Sequence, residues 1–242
     1  MKLIVIALFS ILFWGCNESN PPELGSKLDD PSLDSISIKI GNQRWMLQNL
    51  QVDTFRNGDK IPDGNDANVR WKEKGINQIP AWCYHTNSKT QAHKGMLYNW
   101  YAVNDPRGLA PKGWRIPTKK DWKILEEYLI ANGYNYDSTR TGNKIGKSLT
   151  TSWGDIVDTP GAVGSLGYSW VINKSGFNAM QSYGRDSDGS WPIIMFPFTV
   201  WWSSDIDSTG WIYAKGLYPS SVGLDDMLVS KGKGYSVRCI KE

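Results

Sequence analysis

The chain is poor in the residues and short motifs on which most catalytic sites depend. It has only two histidines and three cysteines among its 242 residues. It contains no Gly-x-Ser-x-Gly nucleophile turn, no phosphate-binding glycine loop and no His-Glu-x-x-His zinc motif. A glycosidase built from two carboxylates far apart in sequence would leave no such motif, so hydrolysis is not excluded. We expect a protein without catalytic activity and without a cofactor.

The sequence also lacks a large excess of one charge. Lys and Arg number 27 and Asp and Glu number 24, which gives a formal net charge of +3. Basic residues are scattered, as at Lys119-Lys120 and residues 231–233, and form no continuous stripe. Because nucleic-acid-binding proteins concentrate Lys and Arg on one face, we expect no nucleic acid partner.

The apolar segment that bears on membrane attachment lies at the N-terminus. Residues 3–14 are apolar except for Ser10, and Lys2 supplies a basic start. A permanent membrane helix needs about 20 apolar residues, so this segment is too short to span a bilayer. Its length and basic start are typical of a signal peptide, which we expect to cover residues 1–15 and to be removed on export.

The residues that follow this segment predict a lipid anchor. Gly15 precedes Cys16, and residues 17–22 are polar or proline. This arrangement resembles the lipobox of bacterial lipoproteins, although Phe13 and Trp14 replace the usual leucine and small residue. Lipid on Cys16 would attach the protein to a membrane of the bacterial cell envelope, and we expect an outer-membrane lipoprotein, periplasmic or surface-exposed. An ordinary secretory peptide with an unrelated cysteine is the alternative.

Two regions are expected in the mature chain. Residues 16–34 are rich in Asn, Pro, Ser and charge and show no apolar periodicity, which predicts a flexible tether. Residues 35–242 are expected to form one domain.

Periodicity within this domain predicts one clear helix among strands. Thr118 and Asp121 are spaced as a helix cap. The apolar residues that follow share one helical face: Trp122, Leu125 and Leu129. A second, shorter helix is expected over residues 143–149, and residues 56–80 are rich in turn formers. The expected strands are an opening hairpin within residues 36–47, then residues 169–172, 193–202, 210–217 and 234–240. The result is an α+β domain with most strands in its C-terminal half.

Aromatic residues are the unusual part of the composition, with 13 Trp, 11 Tyr and 6 Phe. We expect most of them to form the core and a minority to form a binding surface. Trp201 and Trp202 follow an apolar run. Since alternate side chains of a strand face opposite sides, one of the two is expected to face inward and the other outward. The outward ring is either a binding candidate or a surface covered by a loop, and the sequence leaves open which of the two tryptophans faces outward.

Several motifs, in order along the chain, carry a resemblance to a known family. They are Ile40–Met46, Tyr98–Val103, Ala110–Thr118, Ser175–Ala179, Trp201–Ser204 and Ser236–Cys239. They resemble the major paralogous domain first described in Fibrobacter succinogenes, which is abundant in lipoproteins and secreted proteins of Fibrobacter and Bacteroidetes. The resemblance implies a C-type lectin-like fold: a mostly antiparallel twisted sheet with one or two helices and long irregular loops. The family has no established general activity.

The two remaining cysteines form a possible disulfide. With Cys16 assigned to lipid, Cys83 and Cys239 are left in a chain expected to be exported to an oxidising compartment. Spacing alone does not distinguish a bond from two buried free thiols. C-type lectin-like domains tie the last strand to an earlier element, and the resemblance therefore favours a Cys83–Cys239 bond.

Two patterns resemble parts of metal sites. Asp186-Ser187-Asp188-Gly189 places carboxylates at alternate positions before a glycine, as at the start of a calcium loop, but the terminal bidentate acid is missing. The Glu-Pro-Asn and Trp-Asn-Asp signatures of sugar-binding C-type lectins are also absent. His85 and His93 near Cys83 lack a second cysteine at zinc-ligand spacing. We expect a polar hairpin turn at residues 186–189 and no metal.

Together these features predict a recognition module that binds a glycan or another extracellular ligand. The ligand is expected to contact exposed aromatics and loops of the C-terminal half. The candidate residues are Trp201, Trp202, Trp211, Arg185, Asp186 and Asp188. The alternative is a protein-interaction or structural subunit of an envelope assembly.

Overall fold

A computed structural model describes residues 36–154, 156–192 and 198–242. The expected signal peptide, the lipidation at Cys16 and the tether of residues 16–34 lie outside these residues, as does the first half of the strand expected over 193–202. The strands described are β1 (Ser37–Ile40), β2 (Gln43–Met46), β3 (Trp82–Cys83), β4 (Leu97–Tyr98), β5 (Trp114–Arg115), β6 (Thr199–Ile206), β7 (Ile212–Leu217), β8 (Asp225–Val229) and β9 (Ile240–Lys241). The α-helices described are α1 (Asn68–Ile76), α2 (Trp100–Val103), α3 (Lys119–Ala131) and α4 (Gly146–Leu149), and 3₁₀-helices cover His85–Asn87, Lys89–Lys94 and Ser169–Val171.

The opening hairpin belongs to a four-stranded sheet that joins the start and the end of the domain. β1 and β2 pair antiparallel, as predicted, with Ile40 opposite Gln43. Gly41 turns the chain with a φ of 61°, and a Cβ at this position would lie 2.8 Å from the Tyr128 ring. The sheet order is β1-β2-β9-β5, so the last strand lies between β2 and β5. Strand β9, late in the chain, is therefore an inner strand between two earlier strands.

The second main sheet is antiparallel and has the order β6-β7-β8. β6 and β7 form a hairpin whose register shifts between Trp202 and Ile206. The outer edge of β6 is joined to the segment before β9, because Trp202 N donates to Ser236 O at 3.1 Å and Ser236 N donates to Val200 O at 3.1 Å. β6 thus lies inside the domain, between the two largest hydrophobic clusters.

Helix α3 begins at the predicted cap. The Thr118 hydroxyl accepts from Asp121 N at 3.1 Å, and the Asp121 carboxylate accepts from Thr118 N at 2.7 Å. Arg115 binds the same carboxylate with both terminal nitrogens, at 2.5 and 2.8 Å. These contacts fix the corner between β5 and α3. The shorter helix expected over residues 143–149 is present as α4 in its second half.

Two predictions about local structure were wrong. The strand expected over residues 169–172 is a 3₁₀-helix, because Tyr168 has a left-handed φ of 52° and turns the chain, and Val171 N then donates back to Tyr168 O at 3.0 Å. Helix α1 lies within residues 56–80, a segment rich in turn formers for which no helix was expected. Trp71 is its only buried residue, so the segment has no apolar stripe that would predict a helix.

The described residues form a mixed α/β domain with antiparallel sheets and few helices. Most aromatic residues lie in its cores, as expected. A search of the described part of the chain finds no helix with the length and apolar character needed to cross a membrane.

Candidate functional site

The tryptophan pair of β6 is buried on both sides of the sheet, so the outward ring is covered and is not a binding candidate. Trp201 and Trp202 are each 0% exposed. Trp201 packs against Trp122 and Phe177, with ring centroids 5.8 and 5.7 Å away. Trp202 packs against Trp100 in the other cluster, 5.7 Å away. The two side chains do alternate, but both faces of β6 are covered, and neither ring is available to a ligand.

Arg185 is a structural residue and does not reach a ligand, contrary to expectation. It is 1% exposed, and its guanidinium group donates to main-chain oxygens of Gly64, Asp66 and Gly189. The Nε to Gly189 oxygen distance is 2.9 Å, and the Nη2 to Asp66 oxygen distance is 3.2 Å. The same group lies 4.7 Å from the Trp71 ring centroid. Arg185 therefore holds separate segments of main chain together inside the domain.

Cys83 and Cys239 are free thiols, so the predicted disulfide was wrong. The two side chains belong to different hydrophobic clusters. Cys83 packs with Trp71 and Leu97, whereas Cys239 lies in the main cluster beside β2. Burial raises the pKa of each thiol to about 12. Both thiols are therefore protonated and unreactive at neutral pH.

The polar hairpin turn predicted at residues 186–189 is confirmed. Asp186 N donates to Ser190 O and Gly189 N donates to Asp186 O, both at 2.9 Å. The Asp188 carboxylate accepts from Ser190 N at 2.9 Å and from the Ser190 hydroxyl at 2.7 Å. The Asp186 carboxylate pairs with Lys233 at 2.5 Å. Both carboxylates thus have partners within or beside the turn.

An open groove of about 580 Å³ lies beside this turn and contains the exposed ring of Trp211. Trp211 is 48% exposed. The groove is lined by three residues of α1, one of α2, one of the turn, three of the β6–β7 loop and three that follow β8. They are Lys72, Gly75, Ile76, Tyr101, Ser187, Thr209, Gly210, Trp211, Ser230, Lys231 and Gly232. Of the predicted candidates, the structure therefore places Trp211 in the groove, with Asp186 and Asp188 on either side of the lining residue Ser187.

Buried tryptophans of α1 and α2 form hydrogen bonds to the segment after β8 that lines the groove. Trp71 Nε1 donates to the Gly232 oxygen at 2.9 Å. Trp100 N donates to the Lys231 oxygen at 3.0 Å. Both helices are thereby joined to the chain that leaves β8, and Tyr101, next to Trp100, is directed toward the groove.

The turn at residues 186–189 is held against two of the groove walls. The Ser187 and Ser230 hydroxyls lie 2.8 Å apart. Gly189 has a φ of 87°, and a Cβ at this position would lie 2.1 Å from the Asn68 oxygen. Only glycine allows the turn to approach the start of α1 this closely.

The loop that carries Trp211 is organised by Asp207. The Asp207 carboxylate accepts from Thr209 Oγ1 at 2.7 Å, from Thr209 N at 2.8 Å and from Trp211 N at 2.9 Å. The hydrogen bond from the Thr209 hydroxyl lowers the pKa of Asp207 below its usual value. Asp207 N also donates to the Trp211 oxygen at 2.8 Å. The exposed indole is therefore presented by a defined loop.

A second, smaller hollow of about 390 Å³ lies at the start of α3. Its walls contain three lysines, and the Lys119 ammonium group lies 3.9 Å from the Tyr213 ring centroid. It lacks an exposed tryptophan among its described lining residues. The groove at Trp211 is therefore the better candidate for a binding site.

The profile of the Fibrobacter succinogenes major domain matches residues 38–241. The chain belongs to this family. No curated protein and no solved structure matches it.

The region assigned to the Fibrobacter succinogenes major domain includes the whole groove, from Lys72 to Gly232. Several groove residues were missed by sequence reasoning. Tyr101 had a visible signal, since it belongs to an aromatic pair with Trp100. Lys72 and Ile76 had no such signal in the sequence, because the helix that contains them was not predicted. Within the described residues of the family domain, no group of three His, Cys, Asp or Glu side chains is placed to hold a metal ion.

Proposed function

We propose that this Fibrobacter succinogenes major domain is a recognition module that binds a glycan in the groove at Trp211, without catalysis. The observation that carries the proposal is a half-exposed indole in an open groove, on a loop whose main chain is held by Asp207. A sugar ring presents C–H groups on one face and hydroxyls at its edge, so it suits an aromatic ring surrounded by hydrogen-bonding groups. The groove provides such groups at Tyr101, Ser187, Thr209 and Ser230.

The proposal predicts that Trp211 dominates binding. Purified protein would be screened against plant, host and bacterial polysaccharides by pull-down and by tryptophan fluorescence. Trp211→Ala should weaken binding to a responding glycan by about 30-fold or more, as expected for a central aromatic anchor. Trp170→Ala is the matched control, because Trp170 is 67% exposed and is not a lining residue of the groove.

Two results would contradict this proposal. Failure to bind any glycan of the panel would argue against a sugar ligand. Equal losses in Trp211→Ala and Trp170→Ala would indicate non-specific attraction to exposed aromatics, since only one of these residues belongs to the groove.

The absence of catalysis is part of the proposal. Its support is the chemistry of the groove, whose described lining residues include no carboxylate, histidine or cysteine that could act as acid, base or nucleophile. A glycan that binds should be recovered intact after prolonged incubation, and chromatography of the products tests this.

A protein ligand is the second candidate, as in a structural subunit of an envelope assembly. Ile76 lines the same groove and is 68% exposed, and Val69 on the same helix is 57% exposed. Exposed apolar side chains of this kind suit a protein partner. Cross-linking in cells should then recover one fixed protein, and Ile76→Ser should abolish its recovery.

The proposal includes attachment to the bacterial cell envelope through lipid on Cys16. Its support is the apolar segment of residues 3–14, the Gly15-Cys16 pair and the polar stretch that follows. Metabolic labelling with a fatty-acid analogue tests this, and Cys16→Ser should lose the label. Equal labelling of both proteins would refute the anchor.

We further propose that the fold is C-type lectin-like. Its support is strand β9 between β2 and β5, the separate antiparallel sheet β6-β7-β8, and the described parts of the chain between α4 and β6, residues 150–154 and 156–192, which contain one 3₁₀-helix and no strand of the two sheets. An experimental structure that overlays on a C-type lectin-like domain would establish this assignment, and one with a different strand order would reject it.

A further inference from the structure

The charges of the groove define a narrower class of ligand than glycans in general. Lys72 of α1 and Lys231 after β8 are its charged lining residues, and no lining residue in the described chain is acidic. Neither lysine is paired with a carboxylate in the described structure, whereas the neighbouring Lys74 and Lys233 are paired with Asp66 and Asp186. The unpaired charge inside the groove is therefore positive.

The acidic residues around the groove are occupied by other contacts. Asp186 forms its ion pair with Lys233 at 2.5 Å. Asp188 accepts two hydrogen bonds from Ser190, although its charge also acts on Lys72. Asp207 accepts from the residues of its own loop.

Asp66 and Glu73 are the remaining acids of this region. Asp66 pairs with Arg70 at 3.3 Å and with Lys74 at 3.8 Å. Glu73 is exposed next to Lys72 in sequence, but it does not line the groove. None of these acids forms an ion pair with either ammonium group, and Asp188 acts on Lys72 only from beyond ion-pair distance.

We infer that the groove selects anionic saccharides, in which a carboxylate or sulfate meets Lys72 and Lys231 while a sugar ring stacks on Trp211. This inference rests on the proposed glycan-binding function and names the ligand class of the same groove. An ammonium group with no carboxylate partner in the protein gains a counterion from such a ligand without giving up an existing ion pair. The surroundings are open to water, so each contact contributes modestly and is weakened by salt.

The test uses matched pairs of polysaccharides that differ only in charge. Polygalacturonate, alginate and hyaluronate would each be compared with the carboxyl-reduced form, and chondroitin sulfate with its desulfated, carboxyl-reduced form. Affinity would be measured by titration calorimetry at low and at high salt. We expect at least one anionic member to bind about 10-fold more tightly than its neutral partner at low salt, with the difference shrinking as salt is added.

Lysine variants connect this preference to the groove. Lys72→Gln and Lys231→Gln should each weaken binding to the anionic form by up to about fivefold, which is the range for an exposed ion pair, and should weaken binding to the neutral form less, because that form loses no ion pair. The double variant should bind the two forms nearly equally. Lys39→Gln is the matched control, because it removes one positive charge from an exposed residue of β1, outside the groove.

Three other outcomes would overturn the inference, and each of them has a different explanation. If charged and neutral partners bind equally and both depend on Trp211, the ligand is a neutral glycan and the proposed function stands alone. If Lys39→Gln reduces anionic binding as much as the groove variants do, the attraction is a property of the whole surface. If no polysaccharide of the panel binds, the proposed function and the inference fail together. Circular dichroism and thermal melting would verify that every variant is folded.

Discussion

Strand β6 and the loop that follows it use the same residue type in opposite ways. Trp201 and Trp202 are fully buried on the two faces of β6, whereas Trp211, nine residues further on, is half exposed in the groove. The pair in the strand looked like the better binding candidate because it is the denser aromatic motif. The structure shows instead that alternation exposes a side chain only where one face of the sheet is open to solvent.

The difference lies in what covers each position. The Trp201 face is covered by α3 through Trp122, and the Trp202 face is covered by α2 through Trp100. Trp211 lies in a short loop where Asp207 fixes the main chain and no second layer covers the indole. In this domain, an aromatic residue in a loop held by an Asp side chain is therefore the better signal of an exposed ring.

The largest predicted effect concerns the buried pair. Trp201→Ala or Trp202→Ala should each lower the free energy of unfolding by about 3–5 kcal/mol, because each leaves a large cavity in a packed cluster. Urea titration followed by circular dichroism measures this. Trp211→Ala is the comparison, and we expect it to change stability by less than about 1 kcal/mol. Equal losses at Trp202 and Trp211 would show that the two regions do not differ as described.

One of the two histidines is buried and the other is exposed, so they allow the same comparison for stability at acid pH. His85 is fully buried, and burial lowers its pKa to about 3, with a smaller contribution from the charge of Lys94. The unfolded chain protonates this histidine near pH 6.5, so its contribution to stability is complete above about pH 6.5 and is lost as the pH falls toward 3. The loss approaches about 1.4 kcal/mol per pH unit.

Replacing His85 removes its contribution to the pH dependence of the free energy of unfolding. Between pH 7 and pH 5, the wild-type protein should lose about 2 kcal/mol more of its stability than His85→Gln does. Urea titrations at each pH measure the difference. His93→Gln is the control, since His93 is exposed and lies in the adjacent 3₁₀-helix. A parallel pH dependence in wild type and His85→Gln would refute the assignment of a neutral, buried imidazole.

The elements that were predicted correctly have local signals. The β1–β2 hairpin, the capped helix α3 and strand β7 each have their periodicity or cap within a short stretch of sequence. Helix α1 was missed because only Trp71 among its residues is buried. The groove was missed for a different reason: its walls come from segments between Lys72 and Gly232 that meet only in the folded domain.

The family motifs identified the domain, but they led to one wrong expectation about covalent structure. The motif that ends at Cys239 lies in the main cluster, whereas Cys83 lies in a separate cluster beneath α1. A pairing inferred from related folds does not predict which hydrophobic cluster receives each side chain. Spacing left both possibilities open, and the structure has two free thiols in different clusters.

The thiols provide the next test, with a small expected effect on stability. In the native protein, Cys83 and Cys239 should resist a water-soluble disulfide reagent, and both should react once the chain is unfolded. A reducing agent should shift the unfolding midpoint very little, because there is no bond to break. If unfolded protein exposes no thiol from these two positions unless it is first reduced, the cysteines are bonded after all.

The loop that presents Trp211 provides the last test, again with a small expected change in stability. Asp207→Ala removes the acceptor for Thr209 N and Trp211 N but lies at the surface, so we expect the free energy of unfolding to fall by about 1 kcal/mol or less. The indole should become more mobile, which a decrease in fluorescence anisotropy would reveal, and glycan binding should weaken. Asp207→Asn retains a side-chain oxygen that accepts the same hydrogen bonds, and it should therefore behave like the wild type. If Asp207→Ala and Asp207→Asn weaken binding equally, the charge at this position matters, and the fixed main chain of the loop is not what presents Trp211.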